Sequence, residues 1–148
     1  MSFAAETTIT VPSGATQIGQ LRAADLILGA GPDLQWQQYA VKSAEGESGE
    51  FTMVFLQLAN GAQIVATPDQ LFLLPDGSLR EAVQLRLTDR LVGAGRQSIA
   101  LREIAIGMYR GDVCEIATSA ESALDGHLIE ANGVVVADYD LQVERQEA

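Results

Sequence analysis

A segment that occurs twice constrains the fold of this chain more than any other feature. Leu21-Arg22-Ala23-Ala24-Asp25-Leu26-Ile27-Leu28-Gly29-Ala30 matches Leu85-Arg86-Leu87-Thr88-Asp89-Arg90-Leu91-Val92-Gly93-Ala94, with the shared skeleton Leu-Arg-x-x-Asp-x-(Ile/Leu)-(Leu/Val)-Gly-Ala. Two copies are too few for a solenoid, whose stacked units must cover one another. They suit a domain of two related halves. The apolar pattern around them is that of strands. Thr7–Val11 is β-rich and ends at Pro12-Ser13-Gly14, and Phe51–Leu58 ends at Asn60-Gly61, a strong hairpin signal. Residues 63–67 and 71–74 continue the series, the latter stopped by Pro75-Asp76-Gly77. Further strands are expected at residues 98–106, 113–118, 127–130 and 134–136. Many short strands punctuated by turns imply an all-β fold.

Trp36–Tyr39 is a candidate strand, and Ala44–Gly49, small and acidic with two glycines, reads as a mobile loop. Helix signals are weak, with at most a short turn in residues 117–124. Residues 1–143 are expected to form one domain, followed by a frayed tail at 144–148. A 148-residue chain buries roughly 70% of its unfolded surface, so it needs neither metal nor disulfide to hold a core. No apolar run is long enough for a membrane span, and the first residues lack a signal-peptide pattern. The net charge of −11 disfavours binding to phosphate backbones. One cysteine, Cys114, and one histidine, His127, are too few for a Cys/His zinc site. No cofactor is expected, and the oligomeric state and cellular location are open.

The stretch from His127 to Tyr139 resembles the C-terminal end of Hint domains, the self-processing modules of hedgehog proteins and inteins. Inteins close with His-x-Phe-x-Ala-x-Gly-x-x-x-His-Asn before a Cys, Ser or Thr. His127 falls on the first His, Asn132-Gly133 on the turn, Ala137-Asp138 on the final His-Asn, and Tyr139 on the nucleophile. Residues 132–139 are also similar to the hedgehog-type ending Val-x-Gly-Val-x-x-Ser-x-Tyr. The repeat resembles the Leu-x-x-Gly-Asp-x-Val step of each Hint half, with Ala24 and Thr88 in place of the Gly. The resemblance runs from Ser2 to about Gln142 and implies an all-β, Hint-type horseshoe of two pseudo-two-fold halves, with Ser2 and Asp138 near each other.

The resemblance also implies site residues. Ser2 takes the place of the first nucleophile, usually Cys, whose attack on the preceding carbonyl begins an acyl shift; a Ser after an initiator Met is equally ordinary. Thr67-Pro68-Asp69-Gln70 resembles Thr-x-x-His, with Gln70 in the His position. A Gln amide donates a hydrogen bond but is no general acid near neutral pH. By itself this stretch reads as a turn that ends a strand. Glu115 takes the place of an acidic residue that activates the nucleophile, with Asp112 as the fallback, and Cys114 reads as a small buried hydrophobe. Asp138 replaces the Asn that cyclises, and a carboxylate is only an acceptor when ionised. His127 is either the acid–base of a C-side reaction or a strand histidine satisfied by a neighbour. Tyr139 lacks the aliphatic hydroxyl or thiol of a splicing acceptor. The functional expectation is an intein-like or hedgehog-like self-processing domain, impaired and without ligation, acting on flanking segments in cis. Two alternatives stand beside it: a silent Hint-fold structural or binding module, and an unrelated acidic β-domain such as a carbohydrate-binding or phage structural domain.

Overall fold

The computed structural model describes residues 2–122 and 125–147. Its strands are β1 (Phe3–Ala4), β2 (Thr8–Val11), β3 (Gly14–Gln17), β4 (Leu26–Gly29), β5 (Gln37–Leu58), β6 (Gln63–Ala66), β7 (Leu71–Leu73), β8 (Leu79–Glu81), β9 (Arg90–Val92), β10 (Ser98–Thr118), β11 (Leu128–Ala131) and β12 (Val134–Ala137). One helix, α1 (Tyr139–Glu147), follows them.

Two six-stranded sheets result. One has the order β4-β5-β6-β1-β10-β9 and the other β3-β2-β11-β12-β7-β8. Exchanging β1–β5 with β6–β10, and β11 with β12, turns each order into its own reverse. Strands β1–β5 and β6–β10 make equivalent paths, each with a 3-10 turn, at Ile18–Gln20 and Ala82–Gln84, before the repeated segment. The repeat has a local cause. In each copy the backbone N–H of the Arg donates to the carboxylate of the Asp three residues on, Arg22 to Asp25 and Arg86 to Asp89, both at 2.8 Å. The closed turn then releases the chain into β4 or β9, which pairs with the start of the long strand of its own half.

The long strands β5 and β10 pair antiparallel along most of their length. The expected loop at Ala44–Gly49 is therefore corrected: these residues lie inside β5, with Ala44 opposite Ile116, Gly46 opposite Cys114 and Gly49 opposite Gly111. Their composition favours a loop, but the partner strand overrides it, as tertiary context does for weak strand formers. The predicted strands 98–106 and 113–118 are likewise one strand. Ala117 and Thr118 of the expected short turn belong to it, and Ala123 and Leu124 lie outside the described residues.

The β11–β12 hairpin is made by Asn132 (φ 46°) and Gly133 (φ 89°), the two positive-φ turn positions for which Asn-Gly is suited. It knits the halves together: β11 pairs with β2 through Ala131 and Ile9, and β12 pairs with β7 through Val136 and Phe72. A main core, including Ile9, Ile27, Leu56, Phe72, Leu91 and Ile129, lies between the sheets. A second cluster contains Leu71, Leu73, Leu128, Val135 and Leu141.

Helix α1 is a second departure from the sequence reading, and it carries the chain as helix past the boundary drawn at Glu144. Asp138 is its N-cap: the carboxylate accepts the N–H of Leu141 at 2.9 Å. Asp140 in the first turn and Arg145 in the last complement the helix dipole. Leu141 and Gln142 are both buried.

Candidate functional site

Two constellations form at the ends of strands, both by continuing an antiparallel register one residue beyond its last regular pair. On the N side, β1 lies between β6 and β10, with Phe3 opposite Ala66 and also opposite Cys114. One residue outward, Ser2 comes between Thr67 and Glu115. The Ser2 backbone carbonyl accepts the Thr67 N–H at 2.9 Å, and the Ser2 N–H donates to Thr67 Oγ1, also at 2.9 Å. The Thr67 hydroxyl has one proton. It lies 2.8 Å from Asp69 Oδ1 and 3.4 Å from the Ser2 carbonyl, so the shorter bond takes it and a lone pair faces the Ser2 amide. Asp69 thus orients Thr67, a role the sequence reading did not give it.

Ser2 and Glu115 open into a cavity of about 170 Å³ shared with Glu45, Gly46, Glu47 and Val113. Burial pushes the Glu115 carboxyl up; the terminal amine opposes this, Glu45 and Asp69 add to the rise, and a hydrogen bond with Ser2 works against it. Glu45 faces Glu115 directly across the β5–β10 ladder. When a polypeptide precedes Ser2, an amide replaces the opposing amine and the rise is greater. Burial alone would also raise the Asp69 carboxyl, but the terminal amine and the Thr67 hydroxyl outweigh it and hold Asp69 low. With a preceding polypeptide the amine's part in lowering Asp69 is lost as well, and the Thr67 hydroxyl remains to oppose burial there. Asp112 is not at this site: it is exposed and its side chain accepts from the Ser48 hydroxyl. Cys114 is on the alternate face, its thiol pushed up by burial and by the nearby Asp112 and Glu6 carboxylates, and therefore a poor nucleophile.

On the C side, Leu128 faces Ala137 in the hairpin, and the next pair outward is His127 with Asp138. Asp138 N–H donates to the His127 carbonyl at 2.9 Å. Their side chains meet as well, with Nδ1 of His127 2.8 Å from Asp138 Oδ2. The same oxygen accepts the Thr118 N–H at 2.8 Å, while Oδ1 accepts from Leu141. The Thr118 hydroxyl donates to the Gly126 carbonyl at 2.8 Å. Gly126, at φ 88°, has no room for a side chain: a Cβ would come within 2.7 Å of the Tyr39 ring. The Asp138 hydrogen bond raises the proton affinity of His127, burial opposes it, and the charges of Asp138 and Asp140 add to the rise. The Asp138 side chain is 0% exposed and that of His127 4%.

Gln70 does not reach Ser2. Its side-chain amide is buried and donates to the carbonyls of Ala137 at 2.9 Å and Leu71 at 3.1 Å. One short turn, Thr67–Gln70, therefore touches the N side with its first residue and the C side with its last. The sequence-predicted residues separate into Ser2, Thr67 and Glu115 in one group and Gln70, His127 and Asp138 in the other. Sequence reasoning passed over Asp69, Thr118 and Gln142. An Asp before Tyr139-Asp140-Leu141 is a legible helix-capping signal; Thr118 and Gln142 carry no local signal.

This double-sheet architecture, two halves closed by the β11–β12 hairpin, is the fold of inteins and intein-like domains. It is similar to the solution structure of a bacterial intein-like domain from Clostridium thermocellum, with a TM-score of 0.80 and 21% identity, covering 93% of this chain and 98% of that one. A DnaB intein from Synechocystis superposes with a TM-score of 0.76 at 17% identity, over 93% of this chain and 97% of that one. The gp41-1 intein gives a TM-score of 0.73 at 16% identity, over 93% and 98%. No family model and no curated protein sequence matches the chain. The likeness is one of fold, and it makes this chain an all-β, intein-like Hint fold as the sequence resemblance implied.

Proposed function

We propose that this chain is an intein-like self-processing domain that acts in cis on polypeptide joined to the N side of Ser2, slowly and without ligating its flanks. The observation that carries the reading is the hydrogen bond from the Ser2 amide to Thr67 Oγ1, with Glu115 on the opposite strand. That amide nitrogen is the leaving group of an acyl shift at Ser2. In the proposed step Ser2 Oγ gives its proton to Glu115 and attacks the carbonyl carbon of the preceding residue. An ester C–O bond forms, the C–N bond breaks, and the nitrogen takes up the proton as a free amine. An external nucleophile then cleaves the ester and releases the upstream segment.

Two features keep the reaction slow and incomplete. Gln70 is held by the Ala137 carbonyl, so no general acid stands at the leaving nitrogen, a loss of roughly 10²–10⁴-fold in rate. On the C side, Asp138 is committed to three donors, which leaves it no freedom to attack its own carbonyl, and Tyr139 offers no acceptor for ligation.

The test is release of a reporter fused upstream of Ser2. The reporter is expected to remain mostly attached at neutral pH, to be freed slowly by hydroxylamine, to be freed faster from Ser2→Cys, and to be retained in Ser2→Ala. A folded Ser2→Cys protein that releases nothing would instead support a catalytically silent Hint-fold module. That second reading draws on the structural engagement of the Gln70 Nε2, which donates to two carbonyls, and of the Asp138 carboxylate, which accepts from three donors.

A further inference from the structure

Gln142 is 0% exposed although it lies on α1, beyond the C-side junction. Its side chain does not serve its own helix. Oε1 accepts the Leu71 N–H at 3.1 Å, and Nε2 donates to the Asp69 carbonyl. Its backbone N–H donates to the Asp138 carbonyl, 3.1 Å away, in the first turn that Asp138 caps. The amide thus grips both ends of the Asp69-Gln70-Leu71 segment. From there the bonds run on without interruption: Asp69 Oδ1 accepts from the Thr67 hydroxyl, and Thr67 Oγ1 accepts from the Ser2 N–H. A buried amide with donor and acceptor both used fixes its partners, since losing either leaves a buried polar group unpaired.

We propose that Gln142 is a positioning residue that sets the Thr67–Ser2 contact, so that the N side is ordered for reaction only while the chain beyond Asp138 remains attached. The inference deepens the N-side reading and rests on it for its meaning in catalysis. It also gives the capped C side a purpose: cleavage at Asp138 would discard the residue that holds Thr67 in place.

The experiment is amide hydrogen exchange at Ser2 and Leu71 in the full chain with an upstream peptide, alongside hydroxylamine release in the Ser2→Cys background. Gln142→Met is expected to accelerate exchange at Ser2 about tenfold and to slow release by a similar factor. Leu141→Ala removes a neighbouring core side chain on the same helix and lowers global stability, but it is expected to leave the Ser2 amide unchanged. Should Gln142→Met fail to fold, Gln142→Glu keeps the acceptor for Leu71 and loses the donor to Asp69; Leu71 is then expected to stay protected while Ser2 exchanges faster. An unchanged Ser2 amide in a folded Gln142 variant overturns the proposal, as does an equal effect from Leu141→Ala. Absence of release in the Ser2→Cys parent would count against the N-side reading, while the exchange data still decide the role of Gln142.

Discussion

The N side and the C side are built by the same rule and have opposite characters. Each is the next pair outward from an antiparallel register, Ser2 beside Thr67 and Glu115, His127 beside Asp138. The N side ends in a half-buried cavity with carboxylates on two strands, and its serine faces a group able to take a proton. The C side ends under a helix, where three donors satisfy one buried carboxylate. A register brings groups together; what covers them decides how far they are buried and how many donors they meet.

The largest expected effect tests this division by stability. Asp138→Ala takes the carboxylate from buried His127, leaving its Nδ1 only the Thr118 hydroxyl at 3.2 Å, and removes the cap of α1, and chemical denaturation should show a loss of about 3–5 kcal/mol. Glu115→Ala at the N side relieves repulsion with Glu45 and should cost less than about 1 kcal/mol. Comparable losses at the two sites would break the comparison. Asp138→Asn sharpens it, because it restores the residue with which inteins end. The cap and the Thr118 bond should still restrain the side chain, so no C-side cleavage is expected, with a stability loss of about 1–3 kcal/mol. Appearance of a new terminus at residue 138 in that variant would show that residue identity, not the covering helix, had silenced the C side.

The smallest effect is in pH. Asp138 raises the proton affinity of His127 in the folded chain. The stability this contributes is therefore complete below the unfolded histidine value of about 6.5 and disappears as pH rises through the higher folded value. The difference in unfolding free energy between the parent and His127→Gln should be larger at about pH 6 than at about pH 9. A difference that grows with pH would reverse the assignment of the pair.

Much of the frame was legible because it is written locally. The Leu-Arg-x-x-Asp repeat closes its own turn through the Arg22–Asp25 and Arg86–Asp89 bonds, and Asn132-Gly133 specifies its own hairpin. Ala44–Gly49 was misread because its strand exists only through β10, a partner distant in sequence. Helix α1 starts at a signal the sequence does carry, the cap at Asp138, and runs on to Glu147. At the site, Ser2, Thr67 and Glu115 could be named only by resemblance, since their meeting depends on two long-range registers. The diversion of Gln70 to Ala137 and the grip of Gln142 on the turn were beyond local reading, because a glutamine carries no mark of which carbonyl it will face.

Intact-mass analysis tests the division between the two sides most directly. A chain carrying an upstream peptide would be incubated with hydroxylamine at about pH 5 and about pH 7.5, on either side of an unperturbed histidine. The predicted result is slow loss of the upstream peptide alone, with residues 139–148 retained at both pH values. Release of residues 139–148, with Asp138 as the new C-terminus, would contradict the account.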